Sequence, residues 1–270
     1  MVTAERHGPW AVIAGGSEGV GACFARRLAQ AGINLVLLAR KPEPLLATAR
    51  TIQQDSSVQV RTLQVDLTHA DMLARIREVT DGVDVGLLIY NAGAGPGQKL
   101  LLEQTAEEAL TTVRLNAIGQ TLLAQHFGRQ MVARGRGGIL LVSSLAGIAG
   151  SFSLATYSGS KAYTQMFGES LWAELQPRGV DVLVLALGRT RTPALARTDI
   201  DDDGTAADPD EMAALGLAHL GDGPVCVPAH LHKAFQYLNS RPRREATEAM
   251  SEGLRSEYER KCANAANAAC

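Results

Sequence analysis

Six strand-like runs, most of them apolar at every position, recur at regular spacing through the first 190 residues: Trp10–Ala14, Ile33–Ala39, Val58–Val65, Val85–Tyr90, Gly138–Ser143 and Val180–Leu187. Longer amphipathic stretches fall between them, at Val20–Ala31, Leu45–Gln54, Asp71–Thr80, Ala106–Arg134 and Tyr157–Gln176. A strand that is apolar throughout must be covered on both faces. With a helix between successive strands, right-handed βαβ units and a parallel sheet follow. No linker or repeat interrupts the alternation. The sequence therefore predicts an α/β protein with a doubly wound parallel sheet, as a single domain over residues 1–270.

Composition narrows the function classes. Apolar residues make up 46% of the chain and charged residues 20%, which suits a packed globule rather than a disordered segment. A net charge of −2 lacks the basic footprint of a nucleic-acid binder, and 4% aromatics offer few bases a stacking surface. No apolar run approaches the roughly 18 residues of a membrane span, and MVTAERHGPW is too polar for a secretory leader. The four cysteines (Cys23, Cys226, Cys262, Cys270) form no CxxC pair. Neither a disulfide framework nor a zinc site is expected. The expectation is a cytoplasmic protein without membrane or nucleic-acid partners.

The periodicity fails after Gly188. Residues 189–223, with DIDDDGTAADPDE, read on composition as a solvated loop. Their place after a strand's carboxyl end suggests instead a lid over a ligand. The tail CANAANAAC, 262–270, is low in complexity and expected to fray. His230 and His232 form an HxH without a nearby ligand partner, and Pro242-Arg243-Arg244 is too short for a nucleic-acid surface.

The first strand runs into AGGSEGVG and then into a helix. Gly15, Gly19 and Gly21 permit a tight turn and a close approach of backbone to ligand, while the helix start presents free N–H groups to a phosphate. The spacing is GxxxGxG rather than GxGxxG. At the end of the second strand stand Arg40 and Lys41 with no acid. An acid there would bind ribose hydroxyls, whereas a cation accommodates a 2′-phosphate, so the pair favours NADP(H) over NAD.

Tyr157 and Lys161, in YSGSK, are four apart on a helix and share a face. A cation beside a phenol stabilises the phenolate and brings its proton within working range. Ser144, thirteen residues earlier at the end of the fifth strand, could hold a substrate oxygen. Ser143 is its rival, since alternation lets only one of the two face the site. Asn91-Ala92-Gly93 ends the fourth strand at the same edge, and Asn116 is a mediocre helix former inside a long helix.

In this order and spacing, AGGSEGVG, Asp66, YNAG, Asn116, Ser144 and YSGSK resemble the short-chain dehydrogenase/reductase family over about residues 9–193. GPWAVIAGGSEGVG, GINLVLLAR and GVDVGLLIYNAG further resemble the branch of 17β-hydroxysteroid dehydrogenases that includes long-chain 3-oxoacyl reductases. The resemblance implies a catalytic tetrad of Asn116, Ser144, Tyr157 and Lys161. Tyr157 would exchange a proton with the substrate oxygen and Ser144 would hold that oxygen. Lys161 would lower the tyrosine pKa and bind the nicotinamide ribose, with Asn116 supporting a proton relay behind it.

It also implies cofactor contacts from Gly15, Ser17, Glu18, Gly19, Val20, Gly21 and Arg40. Asp66 and Leu67 would meet the adenine, Asn91, Ala92 and Gly93 the ribose, and Gly188, Thr190 and Thr192 the nicotinamide and phosphates. Ala14, Tyr90 and Leu187 depart from the residues the family usually carries, threonine, asparagine and proline. The implied activity is NADP(H)-dependent interconversion of a bulky hydrophobic ketone, steroid-like first and a 3-oxoacyl thioester second, with its secondary alcohol. The substrate pocket would be formed by Ala94–Gln98, Leu145–Leu154 and the segment after Gly188. A homo-oligomer, tetramer or dimer, built from the long helices is implied too. The rival from another class is a non-catalytic NADP-binding regulator or redox sensor.

Overall fold

A computed structural model describes residues 2–95, 97–197 and 204–268, the side chains of 265–268 excepted. After a one-turn α1 (Ala4–His7), the chain alternates β1 (Trp10–Ala14), α2 (Gly19–Gln30), β2 (Asn34–Ala39), α3 (Pro42–Asp55), β3 (Val60–Gln64), α4 (Met72–Thr80) and β4 (Val85–Tyr90). Next come α5 (Ala106–Val113), α6 (Gln120–Arg134), β5 (Gly137–Ser144), α7 (Ala155–Leu175) and β6 (Val180–Leu187). The last part holds α8 (Pro193–Ala196), α9 (Pro209–His219), β7 (Val225–Cys226), α10 (His232–Ser240) and α11 (Arg243–Ala268). The seven strands form one parallel sheet in the order β3-β2-β1-β4-β5-β6-β7.

The pleat divides the apolar runs between two cores. Ala11, Ile13, Leu35 and Leu37 point to one face with Phe24 and Leu28 of α2. Val12, Val36, Leu38 and Leu88 point to the other with Phe127 and Met131 of α6. This is why β1, β2 and β4 carry almost no polar side chain: both faces are covered. The order reverses between β1 and β4, so a crevice opens at their carboxyl ends, where ligands bind in such sheets.

Two regions differ from the sequence reading. Residues 189–223 are not a loop throughout. Asp208 caps α9 by accepting from the N–H groups of Asp210 (2.8 Å) and Glu211 (3.3 Å), and Pro209 follows as its first residue. Met212, Ala213 and Leu217 of α9 are buried in the α2-side core, and Arg27 of α2 holds Asp210 at 2.5 and 3.0 Å. Residues 198–203 of the expected lid lie outside the described residues. The helix expected over 106–134 is interrupted by a π-helical turn, Arg114–Gly119, which contains Asn116. Of the tail, 262–268 continue α11 and 269–270 lie outside the described residues. His232 binds the Val227 carbonyl at 2.7 Å. Among the described residues no helix is long and apolar enough to cross a membrane.

Candidate active site

The carboxyl ends of β1, β2, β4, β5 and β6 bring most of the singled-out residues to one edge. In the turn after β1, Gly15 and Gly19 have φ of 80° and 57°, a left-handed conformation that glycine adopts without strain. A Cβ on Gly15 would lie 2.9 Å from the Ala92 backbone, so the turn rests against the end of β4. Asn91 fastens the two together by donating from Nδ2 to the Gly15 carbonyl at 3.0 Å. A Cβ on Gly21, one turn into α2, would stand 1.9 Å from the Gly15 oxygen and 2.8 Å from Asn91 Nδ2. Gly21→Ala is therefore expected to cost about 2 kcal/mol or more and to loosen the turn. Urea unfolding and a cofactor titration would show both losses together.

The rest of the turn is held from three sides. Thr48 donates to the Ser17 carbonyl at 2.8 Å, Val20 is buried in the core, and Arg197 donates to the Glu18 carboxylate. Thr192 caps α8 by accepting from Leu195 N–H at 3.1 Å, and its methyl would meet a Cβ on Gly19 at 2.9 Å. Thr190 is buried and donates to the Gly188 carbonyl at 3.3 Å. The segment after β6 thus lies directly over the glycine turn.

At the end of β2, the exposed Arg40 guanidinium comes within 3.9 Å of Asp66. Burial pushes the Asp66 carboxyl up, but hydrogen bonds from the Thr68 N–H (2.9 Å) and hydroxyl (2.7 Å), with Arg40 nearby, hold it below its ordinary value. Leu67 is buried beside it in the core.

Lys161 and Asn116 meet at Gly93. A Cβ there would lie 3.0 Å from Lys161 Nζ and 3.5 Å from Asn116 Oδ1, so a larger residue would press the lysine tip aside. The buried Asn116 amide is fully engaged: it accepts from Ala94 N–H (3.1 Å) and donates to the Ala94 carbonyl (2.9 Å) and Ser160 Oγ (2.9 Å). Alternation along β5 separates the two serines. Ser143 is buried and donates to the Lys161 carbonyl at 3.1 Å, fixing α7 to the sheet. Ser144 faces the other way, towards Tyr157, and its hydroxyl accepts from Ala146 N–H at 3.2 Å.

Burial dominates the surroundings of both Tyr157 and Lys161. Burial pushes the Tyr157 phenol above its ordinary value, and it is the Ser144 hydrogen bond that pulls it back in part. Lys161 Nζ instead donates to the Val142 carbonyl at 2.9 Å, lies 5.7 Å from the Tyr157 ring centroid, and is pushed down to about 8 by burial.

Tyr90, which stood out in sequence only as an unusual residue, acts on Asn116 through the backbone. Its buried hydroxyl donates to the Leu115 carbonyl at 2.6 Å inside the π turn. A Cβ on Gly119 would lie 2.4 Å from that hydroxyl, so the glycine makes room for it. Tyr90→Phe should cost about 1–2 kcal/mol by equilibrium unfolding, from the lost buried hydrogen bond. Gly119→Ala should not be tolerated while the tyrosine is present. Hydrophobic periodicity carries no trace of this contact, because Tyr90 reads simply as one more strand residue.

The glycine turn at the sheet switch point and Ser144, Tyr157 and Lys161 thus lie at one edge of the sheet. The short chain dehydrogenase family model matches residues 9–203, and the chain belongs to that family. It is 38% identical over 178 residues to a very-long-chain 3-oxoacyl-CoA reductase of Aspergillus clavatus, covering 65% of this chain and 52% of that protein. The chain thus spans about half the length of this fungal relative. Among solved structures, a 7β-hydroxysteroid dehydrogenase superposes with a TM-score of 0.86 at 25% identity, over 93% of this chain and 99% of that one. A short-chain dehydrogenase from Sphingobium yanoikuyae, solved with NADPH, gives 0.78 at 33% identity, over 85% and 91%.

Proposed function

We propose that the protein is an NADP(H)-dependent oxidoreductase that interconverts a bulky, hydrophobic ketone and its secondary alcohol. The observation that carries this reading is the meeting of Ser144 and Tyr157 beside a buried Lys161, at the sheet edge that also carries the glycine turn. The residues present fit the cofactor. Gly15, Ser17, Glu18, Gly19, Val20 and Gly21 form the turn and helix start whose N–H groups would hold a pyrophosphate, and Arg40 offers an exposed cation to a 2′-phosphate. Asp66, Leu67, Asn91, Ala92, Gly93, Gly188, Thr190 and Thr192 line the remaining path. When bound, the cofactor supplies or accepts the hydride.

In the reduction direction, Ser144 Oγ and Tyr157 Oη together hold the substrate oxygen, and Tyr157 passes it a proton. Lys161 serves the ribose and, once its ammonium is drawn from the Val142 carbonyl towards the site, favours the phenolate left behind. Asn116 fixes the loop after β4 against α7 through Ala94 and Ser160. A steroid-like ketone is favoured as substrate and a 3-oxoacyl thioester is second, in keeping with the printed activities of the relatives. A homo-oligomer belongs to the same reading. Leu110, Val113, Ile118 and Leu122 of the α5–α6 stretch, with Tyr163 and Met166 of α7, leave a large apolar surface exposed.

Cofactor choice is tested at one residue. Arg40→Gln should raise the KM for NADPH by about 10–100-fold, the effect of losing a charge-assisted hydrogen bond, and leave that for NADH nearly unchanged. An unaltered NADPH preference in that variant would show that Arg40 does not read the 2′-phosphate.

A further inference from the structure

The 26 residues of α11 are mostly polar, and after Met250 none of the described ones joins a hydrophobic cluster. A helix this polar is held in place by specific contacts rather than by an apolar stripe. Those contacts reach the loops after β4 and β5, the two that frame the proposed substrate pocket. Glu257, only 6% exposed, accepts from Gln98 Nε2 at 2.8 Å. Lys261 Nζ donates to Gln98 Oε1 at 2.8 Å and lies 3.2 Å from the Glu257 carboxylate, which closes a three-membered cluster. Tyr258 Oη donates to Glu103 at 2.5 Å.

The other loop is held at Phe152. Its N–H donates to Ser251 Oγ at 3.0 Å, and its ring meets that of Tyr258 edge-on, with 5.5 Å between centroids. Spacings of four (Glu257, Lys261) and seven (Ser251, Tyr258) put these side chains on one side of the helix. The loop after β4 is therefore fixed at both ends. At its start Asn116 binds both the N–H and the carbonyl of Ala94, and a Cβ on Gly95 would approach the Tyr157 ring to 3.1 Å. At its far end both the amide nitrogen and the amide oxygen of Gln98 are engaged by α11. A buried carboxylate depends on such partners, and they depend equally on it.

We propose that Glu257 is a positioning residue for the substrate. With Lys261 it fixes Gln98, and so holds in place the wall beside Tyr157 against which a bulky ketone rests. This assignment rests on the oxidoreductase reading above. A small ketone spans less of the pocket and needs that wall less. A loosened wall weakens ground state and transition state alike, so KM rises while kcat is kept.

The test is steady-state reduction of androstenedione and acetophenone with NADPH by the full chain and its Glu257 variants, with amide hydrogen exchange followed on the same samples. In Glu257→Ala the KM for the steroid ketone should rise about tenfold or more, the effect of losing a charge-assisted hydrogen bond. Its kcat, the kcat/KM for acetophenone and the Kd for NADPH should stay within roughly threefold. Exchange should quicken in the loop after β4 and stay slow in β1, β4 and β5. Glu257→Gln keeps an acceptor for Gln98 and should return the KM to within roughly threefold of the unmodified chain. Lys261→Ala, at a half-exposed position, loosens Gln98 without opening the core and should raise the same KM in the same direction. An unchanged KM in both alanine variants overturns the assignment, as does a loss shared equally by the two ketones or carried by kcat. Failure of the unmodified chain to reduce either ketone would overturn the oxidoreductase reading as well, whereas reduction without this split overturns the role of Glu257 alone.

Discussion

Replacing Tyr157 by phenylalanine is expected to lower turnover by about 10²–10⁴-fold, the range for removing a positioned general acid. The affinity for NADPH should hardly change. The phenyl ring keeps its packing against the loop after β4, where a Cβ on Gly95 would approach Tyr157 Cδ2 to 3.1 Å. Only the hydroxyl, its interaction with Ser144 and the transferable proton are lost. Stopped-flow turnover alongside a fluorescence titration of NADPH separates the two quantities. A variant that keeps most of its turnover would remove Tyr157 from the proton path.

Lys161→Met is expected to act on both activity and stability, in opposite directions below about pH 8. Turnover should fall by on the order of a hundredfold, as a cation is withdrawn from the reacting edge. Stability follows from the amine's burial. Its pKa is depressed from 10.5 to about 8 in the folded chain, so between these values the unfolded state binds a proton that the folded state does not. Stability from this residue therefore rises as pH climbs from about 8 to about 10.5. Below pH 8 the full cost of a buried ammonium is present, on the order of 3 kcal/mol. The methionine variant lacks that rise, so the difference between the two unfolding free energies should shrink across this window. Parallel pH dependences would mean that Lys161 titrates normally.

Which parts of the molecule could be read from the chain depended on where their physical signal lies. β1, β4 and β6 occupy the expected ranges because an apolar run between helices has few other places to go. α9 was concealed by composition: DIDDDGTAADPDE is acidic and reads as solvated. Yet Asp208-Pro209-Asp210-Glu211 is itself a helix start, a cap, a proline at the first position and acids in the first turn. Asn116 was noticeable as a poor helix former, and the π turn around it gives the reason. The choice between Ser143 and Ser144 needed the pleat of β5. Other contacts lie beyond any local pattern. The Glu18–Arg197 pair joins residues 179 positions apart, and Tyr90 reaches Leu115 across 25. Neither follows from spacing, since only the folded sheet makes them neighbours.

NADPH oxidation reads out the chemistry at the Ser144–Tyr157–Lys161 edge. The assay would run against steroid ketones, small aryl ketones and 3-oxoacyl thioesters, with NADH in parallel. The account predicts turnover with NADPH on a bulky hydrophobic ketone, much weaker turnover with NADH, and loss of both in Tyr157→Phe. Tight NADPH binding with no turnover on any of the three classes would contradict it, and would point to a nucleotide-binding regulator on the same fold.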